Sequence, residues 1–216
     1  MKNYKYILFD LDGTIIDSSL GVTNSVMYSL KKLGEPVPQR EKLLKFIGPP
    51  LFTSYTQYCG FSEEKANLAI EYYREEYDEK ELFNNRVFEG IEDMLSYLKS
   101  KGKSLIVATS KPEVFAKQIL NKHDISKYFD FIVGATFDGE RNHKHEVLNY
   151  ILENCNIDNK QNCVLVGDTR FDAVGAKNVK IDCIGVSYGF GTKKELLENG
   201  VIAIADSPED LKEILL

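Results

Sequence analysis

Six short apolar runs alternate with amphipathic stretches along this chain, and that alternation constrains the fold more than any other feature. The runs are Tyr6 to Phe9, Ser104 to Ala108, Phe131 to Val133, Cys163 to Val166, Ile181 to Val186 and Val201 to Ile204. Short apolar runs separated by helical periodicity predict parallel strands, buried on both faces and joined by crossover helices. The helices carry their own boundaries. Ile91, Met94, Leu95 and Leu98 share one helical face, and Gly102 stands where a C-terminal cap belongs, so this helix delivers the chain into the strand at Ser104. Pro112 fits the first turn of the next helix, whose apolar face is Phe115, Ile119 and Leu120. The expected fold class is α/β with a parallel sheet.

The rhythm breaks between Asp17 and Phe83, where helical periodicity runs on without a strand. Val22, Val26, Leu30 and Leu33 mark one helix; Ala66, Ala69, Ile70, Tyr73 and Tyr77 mark another, with Ser62 as its N-cap and Glu63 and Glu64 in its first turn. Gly48-Pro49-Pro50 interrupts the segment, because two consecutive prolines cannot both lie inside a helix. The expected organisation is an α/β core over 1–16 and 84–216, with an all-helical insertion over 17–83.

At 216 residues the chain is long enough to bury a core without disulfide or metal staples. Thirty-three acidic side chains against 27 basic ones leave a net charge of −6, which argues against a nucleic acid polymer or an acidic membrane surface as partner. No apolar run approaches the ~18 residues of a membrane span. Cys59, Cys155, Cys163 and Cys183 form no C-x-x-C pair and no metal-ligand spacing, so they read as small apolar residues of a reducing compartment, the cytoplasm.

The chemistry lies at the ends of the strands. Asp10-Leu11-Asp12-Gly13-Thr14 follows the first run, so two carboxylates leave one strand end on the same side and repel unless a cation or a proton intervenes. Gly167-Asp168-Thr169-Arg170-Phe171-Asp172 follows the fourth run, with a helix expected from near Phe171. Ligands of open parallel sheets bind beyond the carboxyl ends of the strands, so the two acidic clusters can converge although they are distant in sequence. Their oxygens suit a hard cation, and Mg²⁺ is satisfied by a few carboxylates with water and substrate phosphate. Thr109 and Ser110 close the second run and offer hydroxyl and backbone donors. Lys144 opens the helical pattern Val147, Leu148, Ile151, Leu152, where an ammonium group opposes the helix dipole and so has another reason to be there. His143 and His145 read as exposed neighbours of that lysine rather than a zinc site, and Tyr72, Tyr73 and Tyr77 as packing within the insertion rather than a stacking surface.

Asp10-x-Asp12-Gly-Thr14, Thr109 closing a strand, Lys144, and Gly167-Asp168 with Asp172 resemble, in that order, the four motifs of the haloacid dehalogenase superfamily, specifically its phosphatases. The resemblance extends from about Lys5 to the C-terminus and implies a Rossmann-like core with the 17–83 segment as a small helical cap that closes over the site. Thr109-Ser110-Lys111-Pro112 and Gly185 to Leu197 are similar to phosphoglycolate phosphatases. Ile47 to Leu51 and Asp138-Gly139-Glu140-Arg141 are closer to the 5'-nucleotidase-like branch. The Gly48 to Leu51 segment is either a loop facing the site or a plain helix-breaking turn. Phosphoglycolate phosphatases commonly carry Lys-Pro at the third motif, where this chain has Lys144-His145, so the resemblance points to phosphate chemistry more firmly than to phosphoglycolate.

What the resemblance implies is a Mg²⁺-dependent hydrolase of small phosphorylated metabolites. Asp10 would attack phosphorus to form an aspartyl-phosphate. Asp12 would protonate the leaving oxygen and then deprotonate the hydrolytic water. Thr109, Ser110 and Lys144 would hold the phosphoryl oxygens. Asp10, the backbone carbonyl of Asp12 and Asp168 would hold the metal, with Asp172 as a ligand through water or as an orienting group. Two other readings use the same residues: a sugar phosphomutase of the same superfamily, which would return the phosphoryl group to another hydroxyl, and a phospho-acceptor receiver module. The long helical insertion and Asp12 speak against the receiver. Substrate and oligomeric state are left open at this level.

Overall fold

The computed structural model describes residues 2–216. The chain divides into two compact units, one comprising Met1–Ile16 and Val87–Leu216 and the other Asp17–Arg86.

The larger unit is built on a six-stranded parallel sheet. Its strands are β1 (Tyr6–Phe9), β4 (Ser104–Pro112), β5 (Phe131–Ala135), β6 (Cys163–Gly167), β7 (Asp182–Val186) and β8 (Ala203–Ala205), in the order β5-β4-β1-β6-β7-β8. β2 (Ile16–Asp17) and β3 (Arg86–Val87) pair where the chain enters and leaves the insertion. All six expected strands are present, with moved ends. β4 runs on to Pro112 rather than stopping at Ala108, β5 runs on to Ala135, and the last strand lies at Ala203–Ala205 rather than Val201–Ile204. Pro112 therefore ends a strand instead of opening a helix. Its ψ of 130° is extended, and a missing N–H is tolerated at a strand terminus.

Period-two alternation assigns the two faces of the central strands. Tyr6 and Leu8, with Ile106, Ala108, Cys163 and Leu165, meet Val147, Leu148 and Ile151 of α6 (Lys144–Asn154) and Ala173, Ala176 and Val179 of α7 (Arg170–Val179). The other central positions, Ile7, Phe9, Leu105, Val107, Val164 and Val166, are equally buried. α4 (Ile91–Ser100) buries the expected face Ile91, Met94, Leu95 and Leu98, and α9 (Pro208–Ile214) packs beside it. A central strand buried on both faces tolerates no polar interior residue, which explains why the acids begin only where the strand ends.

Register sets the site. Phe9 lies level with Val107 on one neighbour and Val166 on the other, so Asp10 emerges between the ends of β4 and β6, and the Asp10 N–H donates to the Val166 carbonyl at 2.9 Å. Chain order reverses across β1: β4 and β5 extend the sheet one way, and β6, β7 and β8 the other. The crevice at such a reversal is where open α/β sheets bind ligands.

The insertion consists of α1 (Ser19–Lys32), a 3₁₀ segment (Arg40–Phe46), α2 (Leu51–Cys59), α3 (Glu63–Glu76) and a single π-helical turn (Tyr77–Glu81). Ser62 caps α3 by accepting from the Lys65 N–H, and Pro50 immediately precedes α2, so the Gly48-Pro49-Pro50 break separates two helical segments. Tyr73 and Tyr77 are buried and stack with ring centroids 5.4 Å apart, which places both in the packing of this unit.

Candidate active site

Each expected site residue occupies the carboxyl end of the sheet or the helix start that follows it. Asp10 and Asp12 follow β1, Thr109 and Ser110 lie in the last part of β4, Asp168 follows β6, and Lys144 and Asp172 occupy the first turns of α6 and α7. All but Ser110 are buried. Asp10, Asp168 and Asp172 each offer a carboxylate oxygen, and these oxygens lie within 4.8 Å of one another, the one such group of three potential metal ligands among the described residues.

Lys144 joins two of these acids. Its ammonium lies 2.7 Å from Asp10 Oδ1 and 2.8 Å from Asp172 Oδ1, and donates to the Ala108 carbonyl at 2.8 Å. Two carboxylate oxygens and one backbone carbonyl oxygen thus surround the ammonium. The placement explains why a lysine opens a helix: pairing with two buried carboxylates outweighs an unfavourable dipole worth typically ~0.3–1 kcal/mol. Asp172 is fixed from its other oxygen, Oδ2, which accepts from the Thr169 N–H at 3.1 Å and hydroxyl at 2.9 Å. Asp172 Oδ1 is at ion-pair distance from Lys144 without hydrogen-bond geometry, and no other group satisfies it.

Thr109 is held by its own backbone, its Oγ1 accepting from the Lys111 N–H at 3.1 Å. This is part of a register shift between Ala108 and Pro112, where β4 departs from even pairing with β5. The same irregularity brings Lys111 Nζ within 3.0 Å of Asp12 Oδ1.

Asp168 is completely buried, and the loop after β7 closes around it. Its Oδ2 accepts from the Phe190 N–H at 2.7 Å, while its Oδ1 is buried with no hydrogen-bond partner. The approach is so close that a Cβ on Gly13, which has φ +85°, would lie 2.1 Å from Asp168 Oδ2, and one on Gly191 would lie 2.0 Å from the Asp168 carbonyl. Residue type and spacing alone single out neither Lys111 nor the Tyr188–Gly191 loop as site-forming. Gly189 and Gly191, flanking an aromatic just after a strand, are the signal that a backbone must pass close to something there.

Burial sets the electrostatics. Burial, opposed by Lys144 and reinforced by Asp172 and Asp12, leaves the Asp10 carboxyl raised to about 7. Asp168 is also held well above its ordinary value, by burial first and then by Asp172 and Asp10, against the opposing Phe190 N–H. For Lys144 burial favours the neutral amine, but Asp10 and Asp172 outweigh it and keep the ammonium charged. Three buried carboxylates thus lie together with one ammonium paired to two of them, and Asp168 Oδ1 and Asp172 Oδ1 have no hydrogen-bond partner. That donor set fits a hard divalent cation. The His143 and His145 rings are parallel with centroids 5.8 Å apart, at the exposed start of α6, and neither belongs to this group.

Residues 7–186 match the family of haloacid dehalogenase-like hydrolases. The chain is similar to a solved structure from Clostridium acetobutylicum described as a predicted phosphatase, at 45% identity and a TM-score of 0.96, with 99% of each chain covered. It is 42% identical over 193 residues to a 5'-nucleotidase of Pseudomonas aeruginosa, covering 89% of this chain and 87% of that one. It is also 34% identical over 212 residues to the tyrosine-protein kinase PtkA of Mycobacterium tuberculosis, covering 97% of this chain and 72% of that one. The chain belongs to the haloacid dehalogenase-like hydrolases and is an enzyme of the phosphatase kind within them.

Proposed function

We propose that this enzyme is a Mg²⁺-dependent phosphomonoesterase that works through an aspartyl-phosphate on Asp10, with nucleoside 5'-monophosphates as its substrate class. The observation that carries the proposal is the meeting of Asp10, Asp168 and Asp172 at the reversal of the sheet, with Lys144 paired to Asp10 and Asp172. Asp10, the backbone carbonyl of Asp12 and Asp168 would hold the metal. Asp172 orients Lys144, since one of its oxygens is taken by Thr169 and the other faces the ammonium. Mg²⁺ bound there would supply positive charge to offset that of the phosphoryl oxygens.

In the first step an Asp10 oxygen bonds to phosphorus as the bond from phosphorus to the leaving oxygen breaks, and Asp12 gives that oxygen its proton. In the second, water bonds to phosphorus, Asp12 takes the water's proton, and the bond from phosphorus to Asp10 breaks to release inorganic phosphate. Thr109, Ser110 and Lys144 hold the phosphoryl oxygens through both steps. The helical unit over 17–83 serves as a cap domain.

The nucleotide class is supported by the similarity to the 5'-nucleotidase and by the Asp138 to Arg141 segment. No described helix is long and apolar enough to cross a membrane, and the four cysteines are unpaired, in keeping with a cytoplasmic enzyme acting on small metabolites. The test is phosphate release from nucleoside 5'-monophosphates, phosphoglycolate, glucose 1-phosphate and p-nitrophenyl phosphate. The expected result is release that stops with EDTA and returns with Mg²⁺, with the highest kcat/KM on a nucleotide. A higher kcat/KM on phosphoglycolate would overturn the substrate class. Glucose 6-phosphate formed without free phosphate, or transfer to a tyrosine in place of water, would overturn the hydrolase.

A further inference from the structure

The register shift in β4 delivers a second lysine to the site. Between Ala108 and Pro112 the strand loses its even pairing with β5, and the Lys111 N–H turns inward to donate to Thr109 Oγ1 at 3.1 Å. Irregularities of this kind re-aim a side chain near functional sites. This one is tightly seated: a Cβ on Gly134 of β5 would lie 2.5 Å from the Lys111 carbonyl, so only glycine lets the two strands approach there. The Lys111 side chain is 7% exposed, and its ammonium lies 3.0 Å from Asp12 Oδ1, on an acid that is itself 12% exposed.

Lysine is rarely withdrawn from water without a partner, because its desolvation is unfavourable and its long stem loses rotamer freedom. The two lysines divide the acids between them, Lys144 taking Asp10 and Asp172, and Lys111 taking Asp12. Asp12 Oδ1 is at ion-pair distance without hydrogen-bond geometry, so the contact restrains the carboxylate without occupying its lone pair in a directed bond.

We propose that Lys111 is a positioning residue for Asp12. It holds the Asp12 carboxyl group in an orientation from which its acid form gives a proton to the leaving oxygen as the bond to phosphorus breaks, and from which the carboxylate so formed takes the proton of the attacking water. This inference rests on the phosphomonoesterase reading above and adds a residue to it. A misplaced acid weakens proton transfer, and proton transfer matters most when the leaving group is poor.

The experiment compares wild type, K111M, K111R and D12N on p-nitrophenyl phosphate, whose leaving group needs little protonation, and on a nucleoside 5'-monophosphate, whose leaving group needs it. Circular dichroism melting is measured on all four. The expected result is that K111M loses roughly 10- to 100-fold in kcat on the nucleotide, with the smaller loss on p-nitrophenyl phosphate and with KM little changed. K111R should recover part of that loss, and D12N should show the same selectivity as K111M in stronger form. Equal loss on both substrates, a rise in KM confined to the nucleotide, or near wild-type kcat would each overturn the proposal, the second by making Lys111 a substrate contact. Should K111M fail to fold, K111R and K111Q carry the same comparison, and K111Q as active as wild type on the nucleotide overturns it. Absence of phosphate release from wild type would instead reject the phosphomonoesterase reading itself.

Discussion

Gly13→Ala isolates the demand that the site places on backbone geometry. Gly13 has φ +85°, and a Cβ there would lie 2.1 Å from Asp168 Oδ2, about 1.3 Å short of the 3.4 Å at which ordinary contact begins. Asp168 cannot yield freely, because the Phe190 N–H holds that same oxygen at 2.7 Å and the side chain is completely buried. Two penalties therefore combine. The left-handed backbone of an alanine costs about 1–2 kcal/mol, and Asp168 or the Asp10 to Thr14 turn must shift by on the order of an ångström. A displacement of that size in a catalytic constellation costs roughly 10²-fold in rate. Gly102→Ala is the matched control: its φ is +74°, and nothing lies within 4 Å of its Cβ. It should lower Tm by roughly 2–8 °C, from the backbone penalty alone in a chain of this size, and leave kcat/KM unchanged. Gly13→Ala should show a comparable or larger fall in Tm together with about 10²-fold loss of phosphate release and weaker Mg²⁺ dependence. The measurements are calorimetric Tm and phosphate release titrated with Mg²⁺. Wild-type kcat/KM in Gly13→Ala would refute the claim that close packing against Asp168 builds the site.

Leu8 is fully buried in the central strand, and Leu8→Ala should destabilise by about 2–5 kcal/mol in denaturant titration; a loss under about 1 kcal/mol would contradict the two-faced burial of β1. Asp10 rises from an ordinary value of 3.8 to about 7 on folding, so the folded chain holds its proton more tightly than the unfolded one. Stability in the presence of chelator should therefore fall as pH rises between those two values, and Mg²⁺ should raise Tm more at about pH 8 than at about pH 5; a metal-induced shift independent of pH would count against the burial of these acids. Asp12→Asn should slow hydrolysis of poor leaving groups more than good ones, and a uniform loss across a leaving-group series would remove its acid role.

The core was legible because each central strand is buried on both faces, so Ile7 to Phe9 and Val164 to Val166 are apolar without interruption and the acids beyond them stand out. Lys144 was legible through a contradiction, an ammonium at a helix start, which a pair of buried carboxylates resolves. Lys111 was not. It lies past the last evenly paired residue of β4, and the register shift that aims it at Asp12 depends on Gly134 of the next strand, a contact that no local pattern encodes. The hold of the Phe190 N–H on Asp168 was equally hidden, because a backbone donor leaves no side-chain signature; only the flanking glycines mark it. Strand ends moved by a few residues because pairing partners, rather than the apolar run itself, decide how far a strand extends.

The covalent step is where the account stands or falls. Wild-type enzyme turning over a nucleoside 5'-monophosphate with Mg²⁺ should be quenched with borohydride, which reduces an acyl phosphate to an alcohol, and its peptides mapped by mass spectrometry. The account predicts homoserine at Asp10 in place of aspartate, in amounts that vanish without substrate and in Asp10→Asn. Steady phosphate release with Asp10 unmodified, or reduction at Asp12, Asp168 or Asp172 instead, would contradict it.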